Sequence, residues 1–354
     1  MQTFPLQQVS RLQPNILAIN PRNSSRVMEV EATPIIPLVP YQALVPHQAK
    51  KPFIEANTKE VSIQHLKADC IIPVFSKDNE ITISHNSFID CVWDSVSNLF
   101  RNETVCEPEI RVSHVVKGRT PEAIHKSVKE LTDEDKTVYY ERMMFCIEVP
   151  SITETICGNR LNLTIGGIRA YNNENLYSKK GLEKFKVFIG FKNMVCINMC
   201  VSTDGLKEEI KVMNTSDLIA KVIELIVSYN AKTHLDMMNS LQNYSLTESQ
   251  FAQLIGKSRL YQCLPSEQKK FLPKFLMTDT QINIVARSYF EDPDFGVEKA
   301  GTDLSMWKVY NLLTSANKSS YIDNFPERAL NATHVSDGII KALDGETRYR
   351  WFIE

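Results

Sequence analysis

The sequence predicts an α+β fold, with an antiparallel sheet-rich N-terminal domain followed by a mainly helical C-terminal region. Between residues 58 and 215, apolar and polar side chains mostly alternate, which is typical of strands with two unlike faces. From residue 216 to residue 354, apolar side chains recur every three or four positions, which is the helical period. Short turn-forming segments separate most of the predicted strands, and they favour an antiparallel sheet with helices packed on one face.

Residues 1–57 are predicted to form a proline-rich extended tail ahead of these two domains. Eight of the sixteen prolines lie in the first 52 residues. Each proline removes a backbone donor and disfavours helix at the preceding residue. The apolar residues of the segment TPIIPLVP, at positions 33–40, leave two interpretations open: the tail is mobile, or it docks on the folded body as an arm.

The sheet-rich domain, residues 58–215, contains nine predicted strands, with a predicted helix between the third and the fourth. The helix covers residues 88–100, where apolar residues recur at helical spacing. Residues 77–80 and the dipeptide Asp204-Gly205 have the composition of turns between neighbouring strands. The predicted strands cover residues 61–65, 70–75, 81–84, 110–116, 138–149, 161–169, 185–191, 194–201 and 209–213.

The helical domain, residues 216–354, opens with a long predicted helix over residues 218–241. Two later segments have the spacing of a capping box, which marks a helix start: Thr247 with Gln250, and Thr278 with Gln281. Gly256 is placed to end the first of these two helices. Further helices are predicted over residues 304–313 and 335–343.

Charge and composition limit the function classes. The 354 residues include 40 Lys and Arg and 42 Asp and Glu, which give a net charge of -2. That balance argues against a protein that holds nucleic acid or anionic lipid by bulk charge alone, although it allows a local basic face. No run of about 18 apolar residues predicts a membrane span. The N-terminus lacks a secretory signal, so the eight cysteines are interpreted as reduced thiols of a cytoplasmic protein.

The most informative segment for binding is the predicted strand at residues 184–192. Alternation places three basic residues and one aromatic residue on a single face: Lys184, Lys186, Phe188 and Lys192. Gly190 lies on the same face and allows a close approach. Such a face suits single-stranded nucleic acid, because cations meet phosphates while a base stacks on the ring. The alternative interpretation is a solvated sheet face whose lysines keep the protein soluble.

Lys117 and Arg119 form a second candidate site, which would bind an anion. Thr120 is a suitable N-cap and Pro121 fits the first position of a helix, so a helix is predicted to start there. Its free amides, its partial positive charge and the two cations would bind a phosphate or a carboxylate of a partner. The alternative is a well-capped helix beside two solvated basic residues.

Two further segments complete the candidate nucleic-acid or anion-binding set. Around Lys318 and Ser319, small and hydroxylated residues could wrap an anion with backbone amides, and the alternative is a helix C-terminus followed by a capped turn. Arg169 and Tyr171 begin a segment rich in asparagine, which is either a hydrogen-bonding surface or a polar loop.

No catalytic residue, metal site or cofactor is predicted. The seven histidines are dispersed. Cys196 and Cys200 would lie about 13 Å apart in a strand, which is too far to share one zinc ion. The glycine-rich fingerprints of nucleotide binding and the G-x-S-x-G motif of a nucleophilic serine are both missing. A Cys–His or Ser–His pair that converges in space stays open, so catalysis ranks below binding.

Several segments together carry a resemblance to a family. They are Ser113-His114 with Lys117-Gly118-Arg119 and Pro121, Tyr139 to Met143, Phe185 to Cys196, Ser202 to Gly205, Phe251 to Gly256, and Asn317 to Asp323. Over about residues 55–354 the chain resembles an uncharacterised domain-of-unknown-function family of Bacteroides-type bacteria, which is often found near mobile elements. That family is distantly similar to phage- and plasmid-like proteins of unknown function. The resemblance implies a bacterial cytoplasm and a role with mobile DNA, and it implies no activity.

Two hypotheses of function follow from the residues and the resemblance. The first is an accessory protein of a mobile element that binds single-stranded DNA through the basic and aromatic face at residues 184–192. The second is a protein-interaction module in element maintenance, defence or counter-defence, with a protein partner. An enzyme acting on a phosphorylated substrate ranks third, because it needs a pocket where His114 or a carboxylate meets the basic residues. No membrane partner is expected.

Overall fold

A six-stranded antiparallel sheet is the centre of the molecule, and its strands follow one another in chain order. The structure is a computed structural model, and it describes residues 51–70, 82–123, 125–173 and 182–354. The strands are β1 Lys59–Glu60, β2 Glu109–Arg119, β3 Lys136–Ile156, β4 Asn159–Ala170, β5 Glu183–Asn193 and β6 Asn198–Val212. The described residues also contain a short ribbon of β7 Ser245–Leu246 with β8 Leu304–Ser305.

The described helices either lie between β1 and β2 or follow the last strand of the sheet. Most of them lie after β6, so the predicted α+β fold is confirmed, with an antiparallel sheet in the N-terminal half and helices toward the C-terminus. The helices in the described residues are α1 Ile63–Ala68, α2 His85–Leu99, α3 Thr215–Ser228, α4 Ala231–Ser240, α5 Glu248–Cys263, α6 Ser266–Lys269, α7 Asp279–Glu291, α8 Met306–Ala316 and α9 Phe325–Leu343.

Local turn chemistry explains the simple strand order. β3 and β4 pair up to Ile156 and Asn159, which leaves only Cys157 and Gly158 between them. Both of these residues have positive φ, 49° and 75°. Two consecutive residues of that kind form the tight hairpin turn whose twist matches that of the flanking strands. The turn therefore sets β4 directly against β3.

Helices cover both faces of the sheet, so the prediction of a single covered face is wrong. Phe145 of β3 points to one face, where its ring lies 5.2 Å from the ring of Phe88 in α2. Met144, the neighbouring residue, belongs to a second buried cluster with Phe188 of β5 and Phe325 of α9. Because adjacent residues of a strand point to opposite faces, α2 and α9 lie on opposite sides of the sheet.

The core strands were predicted well, but several neighbouring elements were not. The strands predicted at 110–116, 138–149, 161–169 and 185–191 are all present. The strand predicted at 61–65 is instead the start of α1, and residues 82–84 lead into α2, whose N-cap is Ser84. The turn predicted at 77–80 and most of the strand predicted at 70–75 lie outside the described residues.

Asp204-Gly205 does not reverse the chain, so the predicted turn there is wrong. Both residues lie inside β6, where Val201 pairs with Gly190 and Leu206 pairs with Phe188. Four residues of β6 therefore face one residue of β5, which is an extended bulge. β6 is one continuous strand, which begins at Asn198 and replaces the two strands predicted at 194–201 and 209–213.

The helical part differs from its prediction at two positions. The helix predicted over 218–241 is divided into α3 and α4, because Tyr229 leaves the helical conformation and Asn230 caps α4. Gly256 does not end α5, which continues to Cys263. Both predicted capping boxes are present, at the starts of α5 and α7. α8 and α9 cover most or all of the helices predicted at 304–313 and 335–343.

The described end of the predicted tail is docked on the body. Phe53 and Ile54 are fully buried in the cluster beneath α9. The amides of Glu55 and Ala56 donate hydrogen bonds of 2.8 and 3.3 Å to the carbonyl of Lys318. Residues 51–57 are therefore a docked arm, and the two interpretations stay open for residues 1–50, which lie outside the described residues.

Buried side chains of the sheet and of the C-terminal helices form one continuous cluster. It includes Phe145 and Phe185 from the sheet together with Val285 of α7 and Val309 of α8. The change from strands to helices occurs between Val212 and Thr215, close to the predicted boundary, and the division into two domains stays a prediction. In the described part of the chain, none of the helices has the length and apolar character that crossing a bilayer requires.

Candidate functional site

The lysines of β5 are all engaged by carboxylates. Lys184 lies 3.3 Å from Glu209. The Lys186 ammonium pairs with Glu327 and donates a 2.7 Å hydrogen bond to the carbonyl of Asp323. β5 is therefore a strand as predicted, but the expectation of a basic face open to phosphates is wrong, because these cations already have acidic partners.

Phe188 is not available for stacking, so the prediction of an exposed ring is wrong. The residue is 1% exposed and lies in the cluster that α9 covers, together with Phe325 and Leu330. Gly190 does allow a close approach, but the group that approaches is the backbone of β6. A Cβ atom at position 190 would lie 2.1 Å from the carbonyl oxygen of Cys200. Both features serve packing inside the sheet and under α9.

Lys192 is buried on the same face of β5. Its ammonium forms an ion pair with Glu148 and lies 3.9 Å from Glu109. Asn162 donates a 2.8 Å hydrogen bond to the other oxygen of Glu148. A cation enclosed in this way is an internal link between β2, β3, β4 and β5, so the prediction that Lys192 belongs to an exposed basic face is wrong.

Arg169 and Tyr171 are also internal, against the prediction of a polar surface. The Arg169 guanidinium forms an ion pair with Glu183 and donates to the carbonyl of Ile83. It lies 4.5 Å from the ring centres of both Tyr171 and Phe185, which is a cation–π distance. Arg169 therefore ties β4 and β5 to the segment that leads into α2.

The side chains of Lys318 and Ser319 both bond to other groups of the protein. The Lys318 ammonium is buried and donates to the carbonyl of Cys196. Burial lowers the pKa of this ammonium. The Ser319 hydroxyl donates a 2.7 Å hydrogen bond to the carbonyl of Ala316 and accepts one from Gln281. These polar groups join α8 to α7 and to the turn before β6, which agrees with the alternative interpretation of a helix C-terminus followed by a capped turn.

Lys117 and Arg119 lie at the end of β2, near the surface. The Lys117 side chain is exposed and has no hydrogen-bond or ion-pair partner in the part of the chain that the structure describes. The Arg119 guanidinium donates to the carbonyl of Lys126. The helix predicted at Thr120 is wrong, because the chain forms only a single 3-10 turn there, Pro121–Ala123, which offers no helix N-terminus. The two basic residues belong instead to a strand edge.

No described strand pairs with the outer side of β2 over residues 114–119, which we call the β2 edge. β1 pairs with only Arg111 and Val112, so no described strand continues along the rest of β2. His114 has a φ of 56° and marks the point where β2 becomes irregular. Val115 and Val116 are 51% and 36% exposed. The β2 edge therefore combines free backbone positions with exposed apolar side chains.

Aromatic and charged groups adjoin the start of the β2 edge. The ring of Tyr321, 46% exposed, lies 6.5 Å from the ring of His114. The Arg142 guanidinium lies 5.8 Å from the same tyrosine ring and 3.5 Å from the carboxylate of Asp323. Tyr321 and Arg142 were not predicted as site residues, because their contacts join β3 to a turn that lies far away along the chain.

A cleft of about 330 Å³ opens between the sheet and α9. Its lining includes Ile168, Ala170, Asn173, Lys184, Phe185, Lys186, Glu208, Glu209 and Glu327. Two predicted site residues, Lys184 and Lys186, therefore do share one concave surface. Their charges are balanced there by the neighbouring glutamates, so the cleft offers little net attraction for a phosphate.

Cys70, His65 and Asp69 form a cluster that the sequence did not reveal. The Cys70 sulfur lies 3.8 Å from Nε2 of His65, whose Nδ1 lies 2.7 Å from the Asp69 carboxylate. The Tyr140 hydroxyl also contacts Nε2, at 2.9 Å. Burial, followed by the charge of Asp69, raises the pKa of the Cys70 thiol to about 11. The thiol is thus protonated near neutral pH, when a nucleophile would need the thiolate.

The described residues contain no candidate metal site. Within residues 51–70, 82–123, 125–173 and 182–354, no three His, Cys, Asp or Glu side chains are grouped closely enough to hold a metal ion.

Among the surfaces described above, the β2 edge is the best suited to contact another molecule. It offers backbone hydrogen-bonding groups, two exposed valines and two basic side chains.

Comparison with known proteins identifies the family and little else. No curated protein and no solved structure matches the chain. A family model described as "Domain of unknown function, B. Theta Gene description (DUF3871)" matches residues 41–353. The further likeness to phage- and plasmid-like proteins stays a prediction. Because the match covers most of the sequence, the chain belongs to this family of domains of unknown function.

Proposed function

We propose that the chain is a protein-interaction module and that its binding surface is the β2 edge. The single observation that carries the proposal is that β2 continues past Val112 with no described strand on its outer side. An uncovered edge offers unpaired backbone donors and acceptors to an added strand. Many proteins bind extended peptides in this way, with main-chain hydrogen bonds for affinity and side-chain contacts for specificity.

The exposed side chains of the β2 edge support the same proposal. Val115 and Val116 are β-branched and apolar, so they favour an extended conformation and gain from being covered. Natural edge strands are usually protected by charge, proline or a covering loop. Lys117 supplies some protection here, but the two valines beside it have no cover among the described residues.

Binding of single-stranded nucleic acid, the other function expected from the sequence, has less support. Its expected surface was the face of β5, where Phe188 is covered by α9 and Lys192 is enclosed by carboxylates. A role in the maintenance or defence of a mobile element is the setting that the sequence resemblance implies, and it remains part of our proposal.

Site-specific photo-cross-linking in the producing cell would test the proposal. A photoreactive amino acid at position 116 should give a discrete protein adduct, because a strand added to the β2 edge would lie against it. The same amino acid at Phe290, an exposed position on α7, is the matched control and should not give that adduct. Val115→Lys should weaken the adduct by blocking the edge. The proposal would be contradicted if no adduct formed at position 116, or if Val115→Lys left the yield of that adduct unchanged.

A further inference from the structure

We propose that the segment added to the β2 edge is an extended acidic stretch of a partner protein. This inference rests on the proposed function and names the chemistry of the partner. Lys117 and Arg119 are two residues apart in a strand, so their side chains project to the same face. An added strand with carboxylates at alternate positions would place two of them opposite these two cations.

The positive charge of the β2 edge is not neutralised from within the sheet. The residues of β3 that pair with positions 115–119 are Tyr140, Tyr139, Val138, Thr137 and Lys136, and none of them is acidic. Two nearby carboxylates have other partners, since Asp135 lies 2.7 Å from Lys126 and Asp133 lies 2.7 Å from Lys136. Glu141 of β3 lies between the partners of Ser113 and Val115, at the opposite end of the β2 edge from Lys117 and Arg119. Glu122 follows in the turn Pro121–Ala123, beyond the end of β2.

Other occupants fit the β2 edge less well. An antiparallel second copy centred on position 117 would place Lys117 directly opposite its own equivalent, and like charges opposite each other destabilise a strand pair. Nucleic-acid binding by charge uses about six to ten phosphate contacts, and the β2 edge offers two basic side chains. An acidic strand uses the backbone, the valines and both cations together.

Two labelled peptides would test the inference on the full chain. Each is as long as the β2 edge and flanked by Gly-Ser; one alternates Val with Glu and the other alternates Val with Lys. Fluorescence anisotropy should show the Val-Glu peptide binding about threefold to tenfold more tightly at low salt, with the difference shrinking as salt is added. Lys117→Glu combined with Arg119→Glu should reverse the preference. Lys129→Glu, an exposed lysine in the nearby turn Val128–Glu130, should leave it unchanged.

Each outcome of this experiment decides a different point. Equal binding of the two peptides, both weakened by Val115→Lys, would keep the β2 edge as a binding surface and overturn the acidic partner. Binding of neither peptide would overturn both proposals. A single-stranded oligonucleotide that binds, and loses affinity in the Lys117→Glu, Arg119→Glu variant, would make nucleic acid the partner. Circular dichroism of each variant would confirm that the fold is retained.

Discussion

Two buried histidines link the stability of the protein to pH. His85 and His234 are almost completely enclosed. Burial lowers the pKa of His85 to about 3, with a further contribution from the Arg169 charge, and burial lowers the pKa of His234 to about 4. A histidine in the unfolded chain has a pKa near 6.5. Below about pH 6.5 the unfolded chain therefore binds protons that the folded chain does not, and stability falls as the pH drops toward 4.

We expect His234→Phe to flatten this pH dependence. Each neutral buried histidine should cost about 2 kcal/mol of stability between pH 7 and about pH 4.5, from its pKa difference between the two states. Urea denaturation at both pH values should show that the variant loses about 2 kcal/mol less than the wild type on acidification. His125→Gln, at an exposed position, is the control and should change nothing. An unchanged pH dependence in His234→Phe would contradict this assignment.

Residue patterns indicated which side chains share a face, but they could not show what covers that face. Alternation correctly placed Phe185 and Val187 together in β5. It also placed Phe188 and Lys192 together, yet the structure buries both of them. Lys192 meets Glu148 from a different strand, and Phe188 meets α9, which lies far along the chain. Contacts of this kind depend on tertiary packing, which no local pattern encodes.

Helix starts that are fixed by hydrogen bonds between residues close in sequence could be predicted. The capping boxes at Thr247 and Thr278 are satisfied within four residues, so their sequences were sufficient to place α5 and α7. The break between α3 and α4 also has a local cause, since the side chain of Asn230 accepts a hydrogen bond from the amide of Thr233. The bulge around Gly205 has no such signal, because it depends on the register between β5 and β6.

Gly190 and Gly256 should respond in opposite ways to substitution by alanine. Gly190→Ala should destabilise the protein by about 1–3 kcal/mol, because its Cβ would clash with the β6 backbone. Gly256→Ala should stabilise it by about 1 kcal/mol, because the position is inside α5 and nothing lies within 4 Å of the added Cβ. Thermal or urea unfolding of both variants measures the difference. Equal effects of the two substitutions would contradict the strand and helix assignments.

At the scale of the whole molecule, the docked arm should contribute strongly to stability. Phe53 is fully buried beneath α9, so Phe53→Ala should cost about 3–5 kcal/mol through lost burial and the cavity left behind. Phe271→Ala is the matched control, because that ring is 88% exposed, and it should change stability by less than about 0.5 kcal/mol. Chemical denaturation of both variants provides the comparison, and a loss below about 1 kcal/mol in Phe53→Ala would show that the arm is dispensable.

The arm also joins the beginning of the described chain to its last long helix. Phe53 and Ile54 share one buried cluster with Phe325 and Leu330. A ribosome adds about 5–20 residues per second, so the interval between making the two ends is on the order of tens of seconds. During translation, this side of the sheet stays open to water until α9 emerges. The nascent chain therefore exposes the apolar side chains of this face until the final stage of its synthesis.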